Sequence, residues 1–180
     1  AVFADSAMVY FGNSDVKNIN IAENVGVKAM VVDADTSFVF SGTGVISGKG
    51  SVNKTGSGKL SLLGNNTYTG ATVIYNGTVE ANSLANGGVA SSIGASQNYD
   101  FNLLFRGGKL DYTGGSVTTD RNMKLEGNGE LGVSNAASVV TLTGVINGTG
   151  CLSKSGACTI LLKGINTYEG LTSVNEGKLE

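Results

Sequence analysis

The sequence predicts an all-β chain wound into a β-solenoid, and three observations carry that expectation. The 180 residues include 28 Gly and no Pro, and 41% are hydrophobic. That apolar content separates the chain from disordered sequences, and Gly without Pro or a G-X-Y period separates it from collagen. Its apolar runs are short and rich in Val, Thr, Ile, Leu and Tyr, residues that suit a pleated, half-buried surface. Finally, residues 43–80 return as residues 143–180 without a gap, at an offset of 100.

The first copy reads as short strands broken by turns. Val45-Ile46, Ser51-Val52, Lys59 to Leu62, Ala71 to Tyr75 and Thr78 to Ala81 are the strand candidates. Gly and Asn punctuate them, because tight corners ask for backbone angles those residues adopt readily. Runs this short cannot build helices and suit the sides of a coil. Three short strands with their corners take about 20–25 residues, the low end of solenoid periods. On that estimate the offset corresponds to four or five coils and the chain to about seven to nine. Stacked at about 4.8 Å, they would make a rod of about 35–45 Å. One coil cannot bury its inward Val, Ile and Leu alone, whereas neighbours above and below complete an apolar interior. A β-sandwich also has many short strands, but it does not need sequence repetition. Residues 1–180 are therefore read as a single β-helical unit carrying homologous repeats at 43–80 and 143–180.

Composition also narrows the function. The formal net charge is -2, only Arg106 and Arg121 are arginines, and the lysines are scattered, so nucleic acid is not an expected partner. No apolar run approaches the roughly 20 residues of a membrane-spanning helix. Ala1 to Ala7 lack the basic and apolar regions of a signal peptide. The chain has no His, which removes Ser-His-Asp and Cys-His catalysis.

The residues shared by the two copies include Gly48/Gly148, Gly50/Gly150, Lys54/Lys154, Gly56/Gly156, Gly64/Gly164 and Gly70/Gly170, with Asn66-Thr67-Tyr68 matched by Asn166-Thr167-Tyr168. At these residues the sequence resembles the passenger-associated transport repeat, also called the autotransporter-associated β-strand repeat. The family pattern G-x-G-x-L-x-K-x-G-x-G-T-L-x-L-x-G-x-N-T-Y-x-G-x-T-x-V-x-x-G-x-L is matched by Gly48 to Val79 and by Gly148 to Leu179. The resemblance implies a right-handed parallel β-helix, secreted to the bacterial cell surface by the type V route. It also implies that the repeat aids secretion and folding, and that a translocator barrel in the outer membrane lies outside this chain. The function so implied is a non-catalytic stalk or scaffold and an adhesion or host-interaction surface. Its candidate partners are a host-cell or matrix protein or a surface glycan, and the unpaired strand edges at the ends of the rod are expected to favour self-association. A carbohydrate-active lyase or hydrolase, or a secreted effector or toxin, is the alternative.

Two departures from the pattern are cysteines, Cys151 at the position of Ser51 and Cys158 at the position of Gly58. They flank the turn-like Lys154-Ser155-Gly156-Ala157. If the chain reverses there, the pair falls within disulfide range, and an extracellular location favours the bond. The other reading is two buried thiols in consecutive strands facing different ways. Two thiolates without His fall short of a zinc site, so neither a metal nor another cofactor is expected.

Carboxylates are the remaining route to chemistry. Asp33 and Asp35 alternate and so share a direction, as an acid/base or calcium pair would. Asp111, Asp120 and Glu126 add carboxylates near Arg121. A solvated outer face explains them equally. No catalytic residue is assigned. The Gly-Thr-Gly and Gly-Lys-Gly runs lack the helix that a phosphate loop needs. Tyr68 and Tyr168 could offer aromatic faces to sugars. The structural reading has Asn66 and Asn166 bonding the local backbone of a turn while each Tyr packs on its neighbours.

Overall fold

Strands of a few residues between corners have little to pair with along their own length, so their backbone groups must find partners in the coils above and below. The computed structural model, which describes residues 6–180, has that arrangement; of the stretch read for a signal peptide, residues 1–5 lie outside the described part. The ladders between its strands are parallel, which excludes the sandwich. A first face stacks Ala7–Phe11, Val25–Asp33, Ser51–Thr55, Thr72–Ile74, Leu103–Phe105, Met123–Leu125 and Ile146–Gly148. A second stacks Asn18–Asn20, Phe38–Ser41, Lys59–Leu62, Thr78–Ala81, Lys109–Tyr112, Gly129–Val133, Leu152–Ser155 and Thr172–Val174. The third side is irregular over the early coils. It becomes a sheet with Val117–Thr119, Val139–Leu142, Thr159–Leu162 and Lys178–Leu179. Eight rungs on the second face make a stack of about 34 Å at about 4.8 Å per rung.

Side chains alternate in and out along each strand. Val52, Leu60, Ile74, Val79, Leu125 and Ile160 are among the inward residues that form one continuous core cluster. Each such burial contributes about 1.5–3 kcal/mol. Near the start of the stack, Phe11 meets Phe40 edge-on at 5.0 Å and Phe38 at 5.7 Å between ring centroids.

Of the strand candidates of the first copy, Lys59–Leu62 and Thr78–Ala81 coincide with observed strands, Val45-Ile46 shifts to Ile46–Ser47, Ala71 to Tyr75 shortens to Thr72–Ile74, and the fifth lengthens. Ser51-Val52 continues to Thr55, turning Lys54 inward beside Val52. The two copies, however, do not occupy the same faces. Ser51–Thr55 and Thr72–Ile74 lie on the first face, whereas their counterparts Leu152–Ser155 and Thr172–Val174 lie on the second. Likewise Lys59–Leu62 is on the second face and Thr159–Leu162 on the third. Ladder steps on the first face run from 20 residues (Val52 to Thr72) to 23 (Met123 to Ile146), but the step from Thr72 to Leu103 takes 103 − 72 = 31. The longer coil holds the segment 82–102. Four steps thus carry Val52 to Ile146, a distance of 146 − 52 = 94 residues. The remaining six residues of the offset advance the chain by one corner and one side.

Candidate functional site

The residues shared by the two copies mostly turn inward or bridge coils. Lys54 and Lys154 are fully buried. The Lys54 ammonium donates to the carbonyl oxygens of Gly56 at 2.8 Å, Thr55, and Ala34 of the preceding coil at 3.5 Å. Lys154 repeats the device on Ser155, Gly156 and Glu176, at 3.2, 2.5 and 3.0 Å. Both glycines hold positive φ, +69° and +81°, and the corner turns its carbonyls toward the ammonium. Burial lowers the pKa of Lys54, against an opposing pull from Asp33 and Asp35. The signal for this role lies in the sequence: Lys54 is two residues from Val52 and so on its inward side.

Asn66 bridges coils rather than bonding a local turn. Its Oδ1 accepts the Ile46 N–H at 2.9 Å and its Nδ2 donates to the Ser92 carbonyl at 2.9 Å, 20 and 26 residues away. Asn166 Oδ1 accepts from Ile146 at 2.8 Å. Tyr68 is completely buried, so it has no face for a sugar; its hydroxyl pairs with Thr72 at 2.7 Å. Tyr168 makes the same bond to Thr172 but is only half-buried.

Each carboxylate is engaged by residues about one coil away. Asp33 accepts from Tyr10 at 3.1 Å and Thr55 at 2.8 Å. Asp35 accepts from the Ser57 N–H at 2.8 Å and its hydroxyl at 2.7 Å, which holds its pKa down. The two are both exposed with Ala34 buried between them, as alternation requires. Asp111 accepts from Ser134 at 2.7 Å and Asp120 from the Gly87 N–H at 2.8 Å. Glu126 pairs with Arg106 at 2.8 Å, which lowers its pKa. Among the described residues no three His, Cys, Asp or Glu side chains come together as metal ligands would.

Arg121, noted in the sequence only as one of two arginines with carboxylates nearby, makes the most side-chain hydrogen bonds among the described residues. It is buried, and its guanidinium donates to the carbonyls of Ala85, Val89, Gly94 and Ser96 and to the Ser96 hydroxyl, at 2.7–3.3 Å. It thereby fixes the segment 82–102 to the coil that follows. From that segment Tyr99 and Phe101 project as a stacked pair, centroids 5.3 Å apart and each 57% exposed. Further along the wall, Arg106 lies over the Tyr75 ring at 5.1 Å. A groove of about 310 Å³ runs beside it, lined by Asn76, Thr78, Lys109, Asn128, Glu130 and Ser153.

Cys158 is buried and Cys151 half-buried. Leu152 and Lys154 point inward, so alternation turns Cys151 outward with Ser153, whereas Cys158 belongs to the core cluster.

The passenger-associated-transport-repeat family matches residues 52–81 and 152–180. The chain is 46% identical over 147 residues to a protein of Brucella suis biovar 1 (strain 1330) named adhesin BmaC autotransporter, an alignment covering 81% of this chain. The same alignment covers 4% of that relative, so the chain spans a small part of its length. No solved structure matches the chain.

Proposed function

We propose, for a chain that belongs by its two repeats to the autotransporter passengers, that it is a non-catalytic length of β-helical stalk displayed outside the cell. Its outward side chains serve as an adhesion or host-interaction surface. The observation that carries this reading is the division of labour between residue types. The residues that recur in both copies (Lys54, Asn66, Tyr68 and their counterparts) hold coils together, inward positions such as Val52/Leu152 and Leu60/Ile160 exchange one apolar residue for another, and exposed ones such as Thr69/Glu169 and Tyr75/Asn175 change character. The name of the Brucella relative as an adhesin supports the same role.

Candidate partners are a host-cell or matrix protein or a surface glycan. The Tyr99–Phe101 pair and the groove beside Lys109 are the surfaces of the wall that offer them apolar and polar contact. The carbohydrate-active alternative is not favoured, since Asp33, Asp35, Asp111 and Asp120 are each held singly by neighbouring hydroxyl or amide groups.

The test removes residues 43–180 from the parent protein in a type V secretion host. Surface display is read by an antibody to an outer epitope, and adhesion by binding to host cells and matrix-coated plates. Loss of display or adhesion is expected. Unchanged display together with unchanged adhesion overturns the proposal, and release of reducing or unsaturated ends from polysaccharides by the purified chain restores the enzyme.

A further inference from the structure

Asparagine followed by glycine is the dipeptide most prone to lose its side-chain amide, because no Cβ hinders the glycine nitrogen on its way to the asparagine carbonyl carbon. The sequence has it four times, at Asn76-Gly77, Asn86-Gly87, Asn128-Gly129 and Asn147-Gly148. The chemistry needs a glycine N–H free to attack and an amide free to leave. The fold meets both needs at one of the four.

The other three are tied down. The Gly87 N–H donates to Asp120 at 2.8 Å, while Asn86 Oδ1 accepts the Asp120 N–H at 3.1 Å. The Gly129 N–H donates to the Cys151 carbonyl at 2.9 Å. Asn147 donates its amide to Asp100 at 3.0 Å and has its Oδ1 buried, inside the strand Ile146–Gly148.

Asn76 differs in each respect. It is exposed, on the corner between the Thr72–Ile74 and Thr78–Ala81 strands. The Gly77 N–H donates to Asn76 Oδ1 itself at 2.8 Å and to no other group among the described residues. That contact sets the attacking nitrogen beside the carbonyl it must reach and polarises it. The Lys54 ammonium lies beneath: a Cβ on Gly77 would stand 3.0 Å from its Nζ. A positive charge there favours loss of the Gly77 amide proton and the oxyanion that forms at Asn76.

The second copy carries a carboxylate at this corner. Glu176 stands at the position of Asn76; its side chain accepts the Gly156 N–H at 3.1 Å and its carbonyl accepts from the Lys154 ammonium at 3.0 Å. The first copy meets its own buried ammonium with a neutral amide.

We propose that Asn76 is a self-processing site, converted in the folded chain to an aspartyl or isoaspartyl residue without an enzyme. Hydroxide takes the Gly77 amide proton, the nitrogen forms a bond to Asn76 Cγ, and the Cγ–Nδ2 bond breaks. The departing ammonia takes its proton from water, which regenerates the hydroxide. A second water opens the cyclic imide at either carbonyl and leaves one new carboxylate. Asn76 lines the groove that Lys109 and Glu130 also line, so the product changes the charge of that groove as well as of the corner. This inference does not depend on the adhesive role.

The test holds the native chain in mildly alkaline buffer for days and digests samples at acid pH. Peptide mass spectrometry reads the amide-to-acid mass gain at each of the four sites. Asn76 should react at least about tenfold faster than Asn86, Asn128 or Asn147, since each of those must first give up a hydrogen bond. In denaturant, where all four are plain Asn-Gly dipeptides, the rates should converge. Lys54→Met, shown to be folded by circular dichroism, should slow Asn76 alone; a rate left unchanged or raised overturns the part given to the ammonium. Native rates that are alike at the four sites, or slowest at Asn76, overturn the proposal.

Discussion

The Arg121 guanidinium donates to the Gly94 carbonyl at 2.7 Å, so a residue of one coil clamps the loop that crosses the coil before it. With its bonds to Ala85, Val89 and Ser96 it satisfies carbonyls that the irregular backbone of that loop leaves without ladder partners.

Arg121→Ala should therefore cost about 3–5 kcal/mol, since it removes five charge-assisted hydrogen bonds and leaves the Val89 carbonyl without its donor. Denaturant unfolding measures the loss, and limited proteolysis should find new cuts between residues 85 and 98. Arg121→Lys, which keeps the charge but not the planar fork, should recover only a fraction of the stability.

Lys54→Met keeps the apolar stem and removes the ammonium from the Gly56 and Ala34 carbonyls. A loss of about 1–3 kcal/mol is expected at neutral pH. The pH dependence has a definite sign. Burial lowers the folded-state pKa of Lys54 below the ordinary 10.5, so between that lowered value and 10.5 the unfolded chain binds more protons. Unfolding free energy should then rise with pH across that window in the native chain, relative to Lys54→Met. Chemical denaturation at several alkaline pH values reads the difference.

Gly58 and Cys158 are equivalent in sequence and unequal in space. A Cβ at Gly58 would fall 2.4 Å from the Thr36 carbonyl oxygen, whereas Cys158 holds a side chain in the core. Gly58→Cys should destabilise the fold by about 1–3 kcal/mol despite copying the second repeat. Cys158→Gly should cost about 1–2 kcal/mol for the lost burial and added chain freedom. Thermal melts of the two variants provide the comparison.

Thiol titration separates the two readings of the cysteines. With Cys151 half-buried and Cys158 in the core, one thiol should react in the native chain and two after unfolding. No reaction under either condition, with a mass lower by two hydrogens, would establish the Cys151–Cys158 disulfide instead.

Much of this architecture was legible in the residues. Short runs such as Lys59 to Leu62 between Gly58 and Gly64 predicted the sides of the coil, and about seven to nine coils followed from the length and a period of about 20–25 residues. What escaped was whatever depends on neighbours in the stack. Asn66 has a turn-forming side chain, and only the coils above and below redirect it to Ile46 and Ser92. Lys54 carries a charge that composition assigns to the surface, while its two-residue spacing from Val52 turns it inward. Arg121 showed no periodicity or motif, because its partners come from a loop that no local pattern joins to it. The change of face lies in the six residues by which the 100-residue offset exceeds four ladder steps, an excess that is invisible without the ladder.

The displacement of the second copy by one side has a bearing on multivalency. If units of this size follow one another, homologous outward positions stand at different azimuths, and three units in tandem distribute them around the whole girth of the rod. A flat receptor array then meets one such position per three units, about thirteen coils or some 60 Å apart at ~4.8 Å per coil. Avidity along a single line of sight is correspondingly dilute, but the filament presents some copy of each contact whichever way it lies against a surface.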